Sequence, residues 1–248
     1  QSGVVLLLFV IALFMISFTF FLTALNNNRA NQAQDVNVAE ALSAAKERLI
    51  AFATLSTEHY GAAGVGPGHL FCPDTNNNGL SNSPCGANPL GRLPRTTNTL
   101  MGLNTLTEYG MGFDQTFWFA IDSSLSNAVG SVFNSATVPA LTIDGVAGYV
   151  AVLIAPGPGN GVQNRPTNTV GDYLEAGNVA SPSFVTFDNV APASFNDRVL
   201  GIRRTEITTP VTARVAEAIK VLLDNYRGVS GSYPDDASFD DPALDDFN

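Results

Sequence analysis

The oxygen-bearing side chains between residues 74 and 82 are the part of this sequence best suited to bind an ion. Their spacing copies the first half of an EF-hand-type calcium loop, which has oxygen ligands at positions 1, 3 and 5 and a glycine at position 6. The positions concerned are Asp74, Asn76, Asn78, Gly79, Leu80 (through its carbonyl) and Asn82. Position 12, normally a bidentate Glu, is Cys85. With one carboxylate the sequence predicts weak calcium binding at most, and the alternative is an Asn/Gly turn that binds no ion.

Two cysteines, Cys72 and Cys85, flank this Gly/Asn/Pro-rich segment. A metal-binding pair would usually stand closer together, as in C-x2-C, with two more ligands nearby. The only histidines, His59 and His69, do not supply a second ligand pair. We therefore expect a disulfide, which would contribute about 3 kcal/mol by restricting the unfolded chain and would form in an oxidising compartment. Two unpaired thiols are the alternative.

Composition and motifs argue against nucleic-acid binding and against catalysis. The net charge is −10 and only 14% of residues are charged, so little in the chain could neutralise phosphates. The Gly-rich residues 156–161 lack the Lys-Ser/Thr of a phosphate-binding loop, and neither G-x-S-x-G nor H-E-x-x-H occurs. The sequence predicts a protein that is not an enzyme and requires no cofactor. Acidic pairs at 235–236, 240–241 and 245–246 are a second calcium candidate, with a solvated acidic tail as the alternative.

Residues 4–25 form an apolar run of 22 residues with no charge, proline or glycine. As a helix this run would be about 33 Å long, which matches the hydrocarbon core of a bilayer. A cleaved signal peptide has a shorter apolar core, of about 7–15 residues. Two interpretations remain: a plain membrane anchor, or a prepilin-type segment, in which a short leader ends in glycine directly before the apolar run.

A second helical pattern follows the polar interruption at Asn26–Asn28. Its apolar residues recur at spacings of three and four, as on one face of an amphipathic helix: Val38, Leu42, Ala45, Leu49, Phe52 and Ala53. Together, residues 4–58 could form one helix of about 80 Å, apolar all round in its first half and on one face in its second. We expect a kink or a melted turn at Asn26–Asn28, because Asn is a modest helix former.

The remainder of the chain predicts an α+β head: the long N-terminal helix packed on an antiparallel β-sheet, with long Gly/Pro/Asn-rich loops, the first at 61–95. Asp144-Gly145 is a hairpin signal between two apolar segments. The strand candidates are 117–121, 141–143, 146–154, 183–187 and, as a strand or a helix start, 198–203. We expect the apolar strands to be buried against the amphipathic half of the N-terminal helix.

A second helix is predicted from about Pro210 to Tyr226, with Pro210 in its first turn. Its apolar stripe is Val215, Ala218, Ile219, Leu222 and Leu223. Its VAEAIKVLLDNY echoes VAEALSAAKERLIAF at 38–52, which is either a weak internal repeat or a coincidence. The predicted organisation is a transmembrane or filament-core half-helix (1–30), an amphipathic half-helix (31–60), the globular head (61–209), and the C-terminal helix with an acidic tail (210–248).

Two N-terminal stretches, SGVVLLLFVIAL and AEALSAAKERLIAF, resemble the start of type IV pilin-like and pseudopilin proteins. Further similarity to a proteobacterial pilin-like family is spread over most of the chain: FCPDTNNNG (71–79), TFWFAID (116–122), YVAVLIAPG (149–157), DYLEAGN (172–178) and FNDRVLGI (195–202). The resemblance implies a helical filament built on the apolar run and a processing site between Gly3 and Val4. It also implies calcium in a head loop, because related pseudopilins carry calcium there.

The apolar run would form the filament core through Val4, Leu8, Phe9, Leu13, Phe14, Phe18, Phe21 and Leu22. In one respect the sequence departs from the family. Such pilins typically have a Glu at the fifth mature position, which pairs with a neighbour's N-terminal amine during assembly. That position is Leu8 if processing follows Gly3, or Val5 if the mature chain starts at Gln1. Certain tip-type pseudopilins also lack this Glu, so the subunit's place in the filament stays open.

The expected function is that of a structural subunit of a type IV pilus-like extracellular filament on the cell surface. Its partners would be copies of itself, a prepilin peptidase and the pilus or secretion assembly machinery. Before assembly the chain would lie in the bacterial inner membrane. One alternative is a minor pilin or pseudopilin that primes or caps a pilus or a periplasmic type II secretion filament. Another is a membrane-anchored adhesive head that does not polymerise.

Overall fold

The computed structural model describes residues 2–60, 65–82, 84–87, 89–95, 116–126, 136, 138–159, 161–186 and 195–234. Side chains at 2–8, 24, 27–34 and 59–60 are not described. The predicted acidic tail at 235–248 and parts of the loop at 61–95 thus lie outside the described residues. So do the side chains of the predicted processing site, Gly3-Val4, and of Leu8.

The N-terminal helix, α1 (Ser2–Thr54), has 53 residues and is about 80 Å long. A short helix, α2 (Ser56–Tyr60), follows it. The predicted long helix is confirmed as far as Thr54, but it does not continue unbroken to residue 58, because the last predicted residues belong to α2. The melted turn predicted at Asn26–Asn28 was wrong, because the backbone is helical through all three residues. Three modest helix formers, each costing less than about 1 kcal/mol, do not interrupt a helix that continues on both sides. Within the described residues, no helix combines the length and the hydropathy that crossing a membrane requires.

Among the described residues, six strands form one sheet: β1 (Leu90–Arg92), β2 (Trp118–Ile121), β3 (Leu141–Ile143), β4 (Val146–Ala155), β5 (Ser183–Phe184) and β6 (Arg198–Arg203). Their order is β1-β2-β4-β3-β5, and β6 also pairs with β4. All pairs are antiparallel except β3 with β5, which is parallel. The sheet is therefore mixed, and the prediction of a wholly antiparallel sheet was wrong at this pair. A long connection precedes β5, so no tight turn forces it to run against β3.

The predicted hairpin is confirmed at Asp144-Gly145, which joins β3 to β4. Both residues have positive φ, 52° and 75°, as a type I′ turn requires. The carboxylate of Asp144 also accepts hydrogen bonds from the N–H and the O–H of Thr186, at 2.8 and 2.7 Å. The turn is thereby tied to the chain that follows β5.

The central strands are buried on both faces, which explains their nearly continuous apolar sequence. Phe119 and Ile121 of β2 pack in one core with the amphipathic face of α1. Trp118 and Ala120, which alternate with them along the strand, pack in a second core with Tyr173 and with Phe184 of β5. Burial against α1 was thus predicted correctly for one face of the sheet. The other face is covered by the segment after β4, which has little regular structure.

The C-terminal helix, α3 (Arg204–Ser230), begins earlier and ends later than the predicted 210–226. Pro210 lies inside the helix, so its predicted place in the first turn was wrong. The early start is explained by Glu206, whose carboxylate accepts the N–H of Arg203 at 2.8 Å and so caps the helix directly after β6. Gly231, with φ 78°, ends the helix.

Candidate functional site

The N-terminal half of α1 presents a large uncovered apolar surface. Every side chain described from Phe9 to Asn26 is exposed, and Phe14 is 68% exposed. The predicted filament-core residues with described side chains all lie here: Phe9, Leu13, Phe14, Phe18, Phe21 and Leu22. Contiguous apolar patches of more than a few hundred Å² are rare on monomeric soluble proteins and mark sites of interaction. We call residues 9–25 the N-terminal apolar surface.

Two of the three hydroxyl groups inside this surface, those of Thr19 and Thr23, bond to the helix itself. The hydroxyl of Thr19 donates to the carbonyl oxygen of Ile16 at 2.7 Å, and that of Thr23 donates to the carbonyl oxygen of Thr19 at 2.9 Å. The rings of Phe14 and Phe18 stack with their centroids 6.2 Å apart. Because these hydroxyls already have acceptors, another apolar surface can cover this part of the helix without leaving them unpaired.

The C-terminal half of α1 fixes this surface to the head. All six residues of the predicted amphipathic face are buried. Phe52 meets Phe71 edge to face, with ring centroids 4.9 Å apart. Lys46 donates to the carbonyl oxygen of Gly201 at 3.0 Å and pairs with Glu206 at 2.7 Å. A partner that binds the N-terminal apolar surface is thus joined to the head through one continuous helix.

The predicted disulfide between Cys72 and Cys85 is confirmed, with Cα atoms 5.4 Å apart. Beside it, Asp74 is almost fully buried and organises the turn that was predicted to hold calcium. Its Oδ2 accepts the N–H of Gly79 at 2.6 Å, and its Oδ1 accepts those of Asn76 and Asn78, both at 3.2 Å. The carboxylate therefore caps the backbone of the turn.

The remaining candidate calcium ligands also bind backbone. The side-chain oxygen of Asn82 accepts both the N–H and the O–H of Thr75, at 2.7 and 3.2 Å, and that of Asn78 accepts the N–H of Leu80 at 2.8 Å. The structure brings the predicted ligands into one turn, where the side-chain oxygens of Asp74, Asn76, Asn78 and Asn82 have protein partners. Among the described residues no three His, Cys, Asp or Glu side chains are grouped. Calcium binding stays a prediction.

Of the two histidines, His69 has a described side chain, and it is buried under the end of α1. Its Nδ1 lies 2.7 Å from the carbonyl oxygen of Gly66, which also accepts the hydroxyl of Ser56 at 2.9 Å. Burial lowers the pKa of His69, which favours the neutral ring. These contacts give the buried ring a structural part in the segment that follows α2. The side chain of His59 is not described.

Two arginines that the sequence did not single out hold the loop after β4 on the sheet. The guanidinium carbons of Arg92 and Arg165 lie 4.7 and 4.8 Å from the centroid of the Tyr173 ring. Arg92 donates to the carbonyl oxygen of Thr167 at 2.7 Å, and Arg165 donates to that of Gly157 at 2.6 Å. Their part is structural, because they satisfy carbonyls of a segment that has few backbone partners of its own.

A buried carboxyl group, that of Asp197, was also missed, although it lies in the segment FNDRVLGI. Its Oδ2 accepts the N–H of Glu175 and the side-chain amide of Asn178, both at 3.0 Å. Its Oδ1 has no hydrogen-bond partner among the described residues. Burial raises the pKa of Asp197 to about 7, against the lowering effect of those two hydrogen bonds. Nothing in a single sequence distinguishes this aspartate from an exposed one.

Asp197→Asn is expected to stabilise the protein above pH 7. Because the pKa of Asp197 is raised from 3.8 to about 7 on folding, the folded state binds this proton more tightly than the unfolded state does. Stability from this group therefore falls as the pH rises from 4 to 7, and above pH 7 the full cost, on the order of 4 kcal/mol, is present. Urea unfolding at pH 4, 5.5 and 8 measures it. Parallel pH profiles of variant and wild type would contradict the prediction.

No protein-family model, curated protein or solved structure matches the chain.

Proposed function

We propose that this chain is a structural subunit of a type IV pilus-like filament, whose copies polymerise through the N-terminal apolar surface. The observation that supports this most is the contrast within α1. The face of its second half is buried against its own sheet, whereas every described side chain between residues 9 and 25 is exposed. An apolar half-helix of this kind can be covered by lipid or by copies of itself, and one head is too small a partner for it.

The free energy of assembly depends on where the helix lies beforehand. Against water, burial of apolar area contributes about 25 cal/mol per Å², which would be a large driving force for association. The proposal instead places Val4–Leu25 in the inner membrane before assembly, on the strength of its uncharged sequence. Lipid is then the reference, so the gain comes from packing and shape complementarity between helices. The stacked pair Phe14 and Phe18 offers rigid aromatic surfaces for such packing.

A minor subunit, which primes or caps a pilus or a secretion filament, is the second candidate. It is favoured by one observation: the fifth mature position is Leu8 or Val5, and neither can pair with a neighbour's N-terminal amine as a Glu does. The two candidates share the polymerising helix and differ in how many copies enter each filament.

Electron microscopy of material sheared from the cell surface, followed by mass spectrometry, tests the proposal and separates the candidates. Filaments composed mainly of this chain are expected of a major subunit, and trace amounts of it within filaments are expected of a minor one. If the chain stays wholly in the membrane fraction while filaments contain none of it, the proposal fails and the anchored adhesive head gains support.

A further inference from the structure

A second uncovered apolar surface lies on the distal half of α3. The helix is buried through Ile207 and Val211, and beyond them every described residue is exposed. Five apolar residues of this half recur at spacings of four and three and so share one face: Val215, Ile219, Leu222, Tyr226 and Val229. We call them the α3 stripe. Exposed fractions along it range from 38% to 91%.

The α3 stripe has the same register as the packed face of α1. Aligning VAEAI at 215–219 with VAEAL at 38–42 places the five stripe residues opposite Val38, Leu42, Ala45, Leu49 and Phe52. Those α1 residues are at most 7% exposed, because the sheet covers them. The α3 stripe thus repeats the pattern of the α1 face that packs on the sheet. In α3, none of the described residues packs over this face.

The two uncovered surfaces lie at opposite ends of the molecule. Lys46 of α1 pairs with Glu206 near the start of α3, and Glu58 of α2 pairs with Arg214 farther along. Both helices therefore run in the same direction. From Arg214 onward α3 continues about 24 Å past this last contact, away from the N-terminal half of α1.

We propose that the α3 stripe binds the N-terminal apolar surface of the next copy in the filament. This inference rests on the proposed function. Copies stacked head to tail bring the projecting α3 of one beside the N-terminal half-helix of the next, with the two helices parallel. The lengths agree, since residues 215–229 span about 21 Å and residues 9–25 about 24 Å. Such a heterologous contact produces an open filament when the rotation between successive copies does not close into a ring.

Charge and area are compatible with this contact. The charged residues of distal α3 lie off the stripe, and each has a partner: Lys220 lies 3.9 Å from Glu217 and 3.7 Å from Asp224, and Arg227 donates to the hydroxyl of Tyr233. The N-terminal apolar surface carries no charge, so the contact buries no ion. From the exposed fractions of its five residues, the stripe presents on the order of a few hundred Å² of surface, which is the scale of a functional patch and below the ~800 Å² per partner of a standard interface.

Cross-linking between two singly substituted full-length chains tests the proposal. One chain carries Leu222→Cys, at the middle of the stripe, and the other carries Phe14→Cys and a size tag. The only native cysteines are joined to each other, so no other thiol competes. The chains are mixed in detergent, polymerised by detergent removal, sedimented and then oxidised. The matched control replaces Leu222→Cys by Val221→Cys, which lies one residue off the stripe and is 48% exposed.

The expected result is a covalent heterodimer that forms several-fold more with Leu222→Cys than with Val221→Cys. Polymer that sediments normally but gives equal cross-linking from both positions would overturn this inference without contradicting the proposed function. Cross-links mainly between two Leu222→Cys chains would overturn it in favour of a symmetric α3 pair. If wild-type chains form no polymer, the proposed function fails and the inference fails with it.

Discussion

Leu13→Asp is expected to abolish polymerisation and leave the head folded. Leu13 is 49% exposed near the middle of the N-terminal apolar surface. In the assembled state its carboxylate would be surrounded by apolar helices, and the run from Val4 to Leu25 contains no basic residue to pair with it. An unpaired buried charge costs several kcal/mol per copy, and the cost recurs at every subunit of a filament.

The stability of the head should be unchanged by this substitution. Val38, the first residue of α1 that is buried among those with described side chains, lies 25 residues or about 38 Å along the helix from Leu13. The matched control is Leu80→Asp, in the disulfide loop, where the original leucine is 52% exposed. Sedimentation measures polymer, and thermal unfolding of the detergent-dispersed chain measures the head. Normal polymer from Leu13→Asp, or an equal loss from Leu80→Asp, would refute the role given to this half-helix.

Phe52→Ala should instead destabilise the head, because the C-terminal half of the same helix packs in the core of the head. Phe52 is 1% exposed and meets Phe71, whose ring in turn lies 5.6 Å from that of Phe119. Removing the ring leaves a cavity between α1 and the sheet, which costs about 3–5 kcal/mol of unfolding free energy. The midpoint of thermal unfolding should fall by roughly 10 °C.

Phe14→Ala is the matched control, the same substitution on the same helix at a side chain that is 68% exposed. It should change the unfolding free energy by less than about 0.5 kcal/mol, and its effect should appear in the yield of polymer. Denaturant unfolding of both variants measures the difference. Similar losses of stability at the two positions would contradict the division of α1 into a polymerising half and a head-binding half.

The elements that the sequence predicted correctly are those with a local physical signature. The period of apolar residues in 38–53 predicts the packed face of α1, because a helix brings residues three and four apart to one side. Asp144-Gly145 predicts its hairpin, because few other pairs accept two positive φ values in succession. The spacing of Cys72 and Cys85 in a loop without further metal ligands predicts their disulfide.

The features that the sequence did not predict depend on residues far apart in the chain. The parallel pairing of β5 with β3 depends on the route of a long, irregular connection. The early start of α3 depends on Glu206, which pairs with Lys46 of another helix. Asp197 is buried because Glu175 and Asn178 surround it. In each case the structure depends on a tertiary contact, and local sequence patterns do not predict such contacts.

The two candidate surfaces show the same distinction. The apolar character of residues 4–25 is evident in the sequence, and so is the stripe of α3. Whether such a stripe is covered depends on the fold: the equivalent positions of α1 are buried and those of α3 are exposed. The sequence alone does not tell which of the two similar helices is covered. Because the structure leaves the α3 stripe exposed, distal α3 is a candidate for self-association.

Helical reconstruction of polymers of the full chain by electron cryomicroscopy is the measurement that tests the central claim most directly. We expect the segment from Phe9 to Leu25 of every copy at the filament axis, buried against the same segment of its neighbours and, on one side, against the α3 stripe of the preceding copy, with the rest of each head outside. A filament whose copies touch only through their heads, with residues 9–25 facing solvent, would contradict the account.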